Sequence, residues 1–229
     1  MAITDEIKLD DYEDEDIFDI VPKLEKSFAI RFERKAFFSV RTFGDFCAVV
    51  SDHIQKPQKE DCTSQQAFYK IRQAIHKVQG MDKNTIIPES SLADIFPYSH
   101  RRRQVKKLQS ELGFQLNMLT YPGWLANIFF IGVLASCITF FFDWKMALSG
   151  LILFVTAIYI ADKTGKNIEL KTVKELTKKM VSENYNDIRR TPYSVNKNEV
   201  AGIIKHIFNK HFDIAKQYLT DDALFSWAK

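Results

Sequence analysis

The sequence predicts an all-α protein: small helical bundles joined to a two-helix transmembrane hairpin. Two observations predict it. Apolar residues recur at helical spacing through most of the chain. Near its middle, two adjacent runs carry no charge at all. The chain of 229 residues has room for one or two small domains plus a membrane element. Its mean hydropathy of -0.20 is ordinary, so the apolar residues are concentrated rather than general.

The hairpin is the clearest element. Trp124 to Phe142 reads WLANIFFIGVLASCITFFF, 19 residues without a charge. At about 1.5 Å per residue it reaches roughly 28 Å, close to the hydrocarbon thickness of a bilayer. After Asp143-Trp144-Lys145, a second uncharged run extends from Met146 to Ala161. So short a connection forces the second helix to return antiparallel to the first, which defines a hairpin over 124–161. A buried helical hairpin in a soluble core is the alternative. Trp124, Trp144 and Tyr159 suit the membrane interface. Asn127, Ser136, Thr139, Ser149 and Thr156 are candidates for hydrogen bonds across the pair. No ionisable residue lies in either span, which argues against a proton relay or ion path in one copy.

Charge orients the hairpin. Arg101, Arg102, Arg103, Lys106 and Lys107 precede the first span, and Lys163, Lys166, Lys171, Lys174, Lys178 and Lys179 follow the second. Both flanks, and so both termini, are expected on the cytoplasmic side of the inner membrane, with the tip outside. The N-terminus is acidic where a secretory signal would be basic and then apolar, so no such signal is expected.

The net charge is only +3, but it is segregated. Residues 1 to 20 hold Asp5, Glu6, Asp10, Asp11, Glu13, Asp14, Glu15, Asp16 and Asp19 against the single base Lys8. The acidic stretch Glu13, Asp14, Glu15, Asp16 and Asp19 is a candidate partner-binding face. The cluster Arg101, Arg102, Arg103, Lys106 and Lys107 is a candidate patch for anionic lipid or an acidic partner. Two solvated faces are the plainer reading. Nucleic acid is a poor fit, because the net charge is small and no basic face is interleaved with aromatics.

The remaining segments read as amphipathic helices. Ile17, Ile20, Val21, Leu24 and Phe28 share one face, with Asp16 or Asp19 as candidate caps and Pro22 tolerable only in a first turn. Phe43, Phe46, Val50 and Ile54 make another, ended by Pro57. Phe68, Ile71, Ile75 and Val78, then Val105, Leu108 and Leu112, and finally Val200, Ile203, Ile204, Ile207 and Phe208 complete the set.

Within this frame Leu24-Glu25-Lys26-Ser27-Phe28-Ala29-Ile30 and Arg41-Thr42-Phe43-Gly44-Asp45-Phe46 resemble, in order, the middle element and the last-helix start of acyl carrier proteins. The likeness covers residues 13 to 55. Before it the family's first helix is missing, whereas the C-terminal stripe followed by Leu219-Thr220-Asp221-Asp222-Ala223-Leu224-Phe225 resembles that helix and its loop. The resemblance therefore implies a circularly permuted bundle: residues 1–56 supply the last three helices and 197–229 complete them. A homodimer with swapped helices would use the same contacts.

A second carrier-like module follows the same order. Its first part lies in 65–122, where Ile87 to Pro97 resembles the family's connecting loop. Lys171-Thr172-Val173-Lys174-Glu175-Leu176, within 166–183, resembles the last-helix start. The hairpin would then stand where the third helix belongs. Generic amphipathic helices are the alternative.

Carrier chemistry needs a serine at the head of the acidic helix to hold 4'-phosphopantetheine. The resemblance puts Asp14 there in the first module, and no serine occurs between Met1 and Lys26. In the second it falls near Tyr98, with Ser99 adjacent. Ser99 is thus the candidate attachment point, and a helix N-cap before Arg101 is its plainer role. Other chemistry is not signalled. His53, His76, His100, His206 and His211 show no metal spacing, and Cys47, Cys62 and Cys137 form neither a ligand set nor a disulfide framework. No phosphate loop or nucleophile elbow occurs. The expectation is a membrane-anchored, non-catalytic carrier-like scaffold without a cofactor or metal. It would contact membrane lipids and a protein partner at the inner membrane face. A working acyl carrier serving a membrane enzyme, or a small subunit of a membrane complex, are the alternatives.

Overall fold

A computed structural model describes residues 8–33, 35–191 and 194–228. The described residues are mostly helical, with 63% of them in helix, as an all-α class requires. In order run α1 (Asp14–Phe18), α2 (Val21–Phe28), α3 (Phe43–His53), α4 (Thr63–Gln79), α5 (Leu92–Ile95), α6 (Arg101–Leu112), β1 (Leu119–Thr120), α7 (Gly123–Thr139), α8 (Trp144–Thr164), β2 (Asn167–Ile168), α9 (Val173–Glu183), α10 (Tyr185–Ile188) and α11 (Lys197–Phe212). Two compact units emerge. One joins the residues up to Lys70 with those from Leu176 onward, and the other spans Ile71–Glu175. These divisions fall inside α4 and α9. The start of α9 is hydrogen-bonded into the second unit, while its buried apolar face, Leu176, Met180 and Val181, groups with the first.

In the first unit the apolar stripe expected over residues 17 to 28 is divided between α1 and α2. Pro22 is the reason. It has no N–H to offer the Phe18 carbonyl, so α1 ends and α2 restarts with the proline in its first turn. Ile17, Ile20, Leu24 and Phe28 are buried all the same, whereas Val21 is half-buried. Neither Asp16 nor Asp19 caps a helix start. Asp16 lies inside α1, Asp19 at its C-terminal end, and Glu13 is the N-cap residue. α2 stops at Ala29, which adopts a left-handed φ of 50°.

The stripe on α11 is buried through Val200, Ile204 and Phe208, and the helix packs on α3. The Phe208 ring meets Phe43 edge-on at 5.1 Å and Phe46 at 5.3 Å, and Phe46 stacks on Phe37 at 4.9 Å. Such ring pairs add to the area they bury. Trp227 donates Nε1–H to the Val40 carbonyl at 2.8 Å, and Ser226 donates to the Tyr12 carbonyl at 2.6 Å. The C-terminal segment is thereby fastened to N-terminal residues.

In the second unit Ile71, Ile75, Leu92, Ile95, Phe96, Val105 and Leu108 form the core. α6 ends at Gly113, whose φ of 82° lets its N–H close on the Gln109 carbonyl. β1 and β2 pair antiparallel, Leu119 with Ile168 and Thr120 with Asn167. Gly165 is required beside them: a Cβ there would lie 2.5 Å from the Thr120 carbonyl. α7 has 17 residues and α8 has 21, and only α8, among the described residues, is both long and apolar enough to cross a membrane.

A turn capped by Asp143, whose side chain accepts from the Lys145 and Met146 N–H groups, joins α7 to α8. Small residues let the two helices approach. Gly150 faces Ser136, and Gly132 faces the Phe154 ring, leaving no room for a Cβ at either glycine. The expected hydrogen bonds across the pair do not form. Ser136, Thr139, Ser149 and Thr156 each bond a carbonyl three or four residues back in their own helix, where an acceptor is always within reach.

Candidate functional site

Both units are closed by the same hydrogen-bond frame. In the first, Phe43 N–H donates to Ala223 O at 2.8 Å, Gly44 N–H to Asp221 O at 2.9 Å, and Phe225 N–H to Arg41 O at 3.1 Å. In the second, Val173 N–H donates to Ser90 O at 3.0 Å, Lys174 N–H to Pro88 O at 2.7 Å, and Leu92 N–H to Lys171 O at 2.9 Å. Thr42 is bridged antiparallel to Leu224, and Ser91 to Thr172.

The helix starts match as well. Thr42 Oγ1 accepts from Asp45 N–H at 3.1 Å, while Asp45 Oδ2 accepts from the Arg41 and Thr42 N–H groups. Thr172 Oγ1 accepts from Glu175 N–H at 3.2 Å, and Glu175 Oε2 accepts from Lys171 N–H at 2.7 Å. The capping-box chemistry of a hydroxyl followed three residues later by an acid serves both. In the second unit the frame sets the path of the loop, Pro88 to Leu92, that precedes the candidate site.

In the second unit that loop leads through α5 to Ser99. Ser99 is exposed, and it is not the helix cap: His100 occupies the N-cap position of α6, without a side-chain cap bond. Ser99 instead lines an open groove of about 610 Å³ with His100, Arg102, Arg103, Lys106, Lys107, Ser110 and Lys166. Arg101 departs from the expected patch. Its side chain is buried, donating Nε–H to Phe96 O at 2.7 Å and Nη1–H to Lys166 O at 2.9 Å, with the guanidinium 5.4 Å from the Tyr98 ring. A buried guanidinium must be satisfied by the protein, so Arg101 holds the chain rather than meeting a ligand.

In the first unit Glu13, Asp14, Glu15, Asp16 and Asp19 are all exposed, and none makes an ion pair among the described residues. Asp14, Glu15 and Asp16 occupy the first turn of α1, where the helix dipole favours anions.

Sequence reasoning missed one centre, Arg189. It is 3% exposed and donates to Ser194 Oγ (2.9 Å), Thr63 Oγ1 (2.7 Å), Asp61 O (3.2 Å), Tyr185 OH (3.2 Å) and Lys59 O (2.9 Å). Glu199 Oε2 stands 3.9 Å away, and its Oε1 accepts from Thr63 N–H. An arginine in a polar run carries no signal of this in sequence. A small cleft beside it, about 270 Å³, includes Glu199, Ser182 and His206. Burial, then the charges of Lys216, Lys178 and Lys210, pull His206 down to about 4, so it stands neutral near pH 7. Burial also pushes the Cys47 thiol up to about 12. No cluster of metal-ligating residues occurs among the described residues.

No protein-family model, curated protein or solved structure matches the chain.

Proposed function

We propose that the chain is a membrane-anchored, non-catalytic binding protein related to acyl carrier proteins. It docks a cytosolic or membrane partner at the inner membrane face through Glu13, Asp14, Glu15, Asp16 and Asp19. The observation that carries the reading is the frame repeated in both units. It joins a loop to the start of a last helix, as the carrier resemblance implies, and in the first unit an exposed Asp14 stands where that resemblance requires the serine.

The anchor is α7 and α8 as a pair of spans, with both flanks cytoplasmic and the tip outside. At about 1.5 Å per residue they reach roughly 26 Å and 32 Å. Their outward surface supports this. Phe130, Ile131, Ile138, Ile152, Leu153 and Tyr159 are each more than half exposed, and only 6% of the most apolar window of α8 is buried. A hairpin serving as a soluble core would be covered. An apolar belt of this size needs an apolar solvent or a partner.

A second reading is favoured by one observation: Ser99 is exposed, at the head of α6, and free of a capping role. It makes the second unit a working carrier with 4'-phosphopantetheine on Ser99. Intact-protein mass spectrometry separates the two, on the full chain co-expressed with a broad-specificity phosphopantetheinyl transferase. An unmodified mass, beside a carrier control that is modified, is the expected result. A mass increase that maps to Ser99 and vanishes in Ser99→Ala would replace the first reading by the second.

A further inference from the structure

The groove on α6 is built against its own helix. Arg102 and Lys106, and again Arg103 and Lys107, are like charges four residues apart, a spacing that brings them together on one face. Arg102 and Arg103 stand in the first turn of α6, where the helix dipole disfavours cations, and that turn holds no acid. Lys166 adds a fifth positive charge from another segment, and no carboxylate lines the groove. None of the five enters an ion pair among the described residues. Repulsion of this kind, with no compensation inside the unit, marks a place meant for an external anion.

The position selects the anion. Lys166 stands two residues past Thr164, the last residue of α8, and the strand pair of Thr120 with Asn167 ties the chain leaving α8 to the chain entering α7. Arg101 fixes the head of α6 to this point through its bond to the Lys166 carbonyl, and the exposed Tyr98 ring lies 5.5 Å from the Lys166 ammonium. The groove therefore sits at the end of the hairpin that the positive flanks assign to the cytoplasmic leaflet. Phosphodiester groups at that level are the nearest anions.

We propose that Arg102, Arg103, Lys106, Lys107 and Lys166 bind the phosphate of an anionic phospholipid headgroup, clamping the second unit onto the bilayer that holds its hairpin. This rests on the membrane reading of α7 and α8 above. The site differs from the basic patch expected from sequence, because Arg101 leaves it and Lys166 enters.

The test uses the full chain extracted in mild detergent. Phosphatidylglycerol, phosphatidylcholine or inorganic phosphate is added, and native mass spectrometry and thermal unfolding are read. The comparison is a variant combining Arg102→Gln, Arg103→Gln, Lys106→Gln and Lys107→Gln. The wild-type chain is expected to retain phosphatidylglycerol about tenfold better than phosphatidylcholine and to gain thermal stability from it alone. The variant should lose that preference while unfolding, without lipid, no earlier than wild type, since it is relieved of like-charge repulsion. Equal retention of both lipids by wild type, or an undiminished preference in the variant, overturns the site. Inorganic phosphate giving the same stabilisation at equal concentration overturns the lipid assignment. A wild-type chain recovered without detergent would instead contradict the membrane anchor, a failure distinguishable from loss of lipid preference in an extracted protein.

Discussion

Arg189 shows how much of a unit can hang on one side chain. Its guanidinium gathers the segment at Lys59–Thr63, the Tyr185 hydroxyl and the Ser194 hydroxyl around one buried charge. Removing it takes the shared donor from Glu199, three hydroxyls and two carbonyls at once, so Arg189→Ala is expected to cost about 3 kcal/mol or more in urea unfolding. Arg189→Lys should recover little, because an ammonium cannot span the same fork of acceptors.

His206 makes a different prediction. Its folded-state value of about 4 lies below the ordinary value of 6.5, so the unfolded chain takes up the proton more readily. The stability it accounts for is whole above about pH 6.5 and is lost as the pH falls towards 4. His206→Gln should flatten that part of an acid-unfolding curve. None of this was legible in the sequence, where Arg189 sits in an unremarkable polar run and His206 is one of five scattered histidines. Long-range burial decides both roles. The exposure of Glu13, Asp14, Glu15, Asp16 and Asp19, in α1 and at its two ends, was legible, since no apolar periodicity places them inward.

Helices were the legible level, and their errors have local causes. The face of Ile17, Ile20, Leu24 and Phe28 was readable, but the periodicity ran through a proline that hydrogen bonding cannot pass. Motifs at the helix starts were readable too, since Thr42 with Asp45 and Thr172 with Glu175 carry their capping partners in the next turn. Thr42→Ala and Thr172→Ala are each expected to cost about 1 kcal/mol. In the first unit the loss should reach further than the cap, weakening the pairing of Arg41 with Phe225. Hydrogen exchange at the Phe225 amide would report it, and an unchanged rate would separate the cap from the frame. β1 and β2 left no trace in sequence, because two-residue strands 49 positions apart, at Leu119 and Ile168, have no alternating pattern to show.

At the scale of the whole molecule, the apolar runs announced a hairpin without saying how it is made. The antiparallel pairing followed from the short turn, but the close approach of Gly132 and Gly150 to the facing helix is a matter of packing. The order of loops and helix starts in the two units was legible in the same way. Its hydrogen-bond closure, residue for residue in both units, was not. The three cysteines give the molecule natural reporters. Cys62 is exposed and should react readily with thiol reagents. Cys47 is buried, with its thiolate suppressed, and should react only on unfolding. Cys137 lies on α7, exposed on the isolated chain, so its reactivity in water or detergent should fall when a bilayer covers the helix.

The anchor is tested most directly by sidedness. A membrane-impermeant maleimide is applied to sealed inner-membrane vesicles of both orientations that carry the full chain, either with Cys62 as the accessible thiol or with Cys62→Ser and Lys145→Cys at the hairpin tip. The account predicts that Cys62 is labelled only where the cytoplasmic face is outward, that the cysteine at position 145 is labelled only in the opposite orientation, and that Cys137 is protected in both. Labelling of both positions from the same face, or free labelling of Cys137 from water, would contradict a membrane-crossing hairpin.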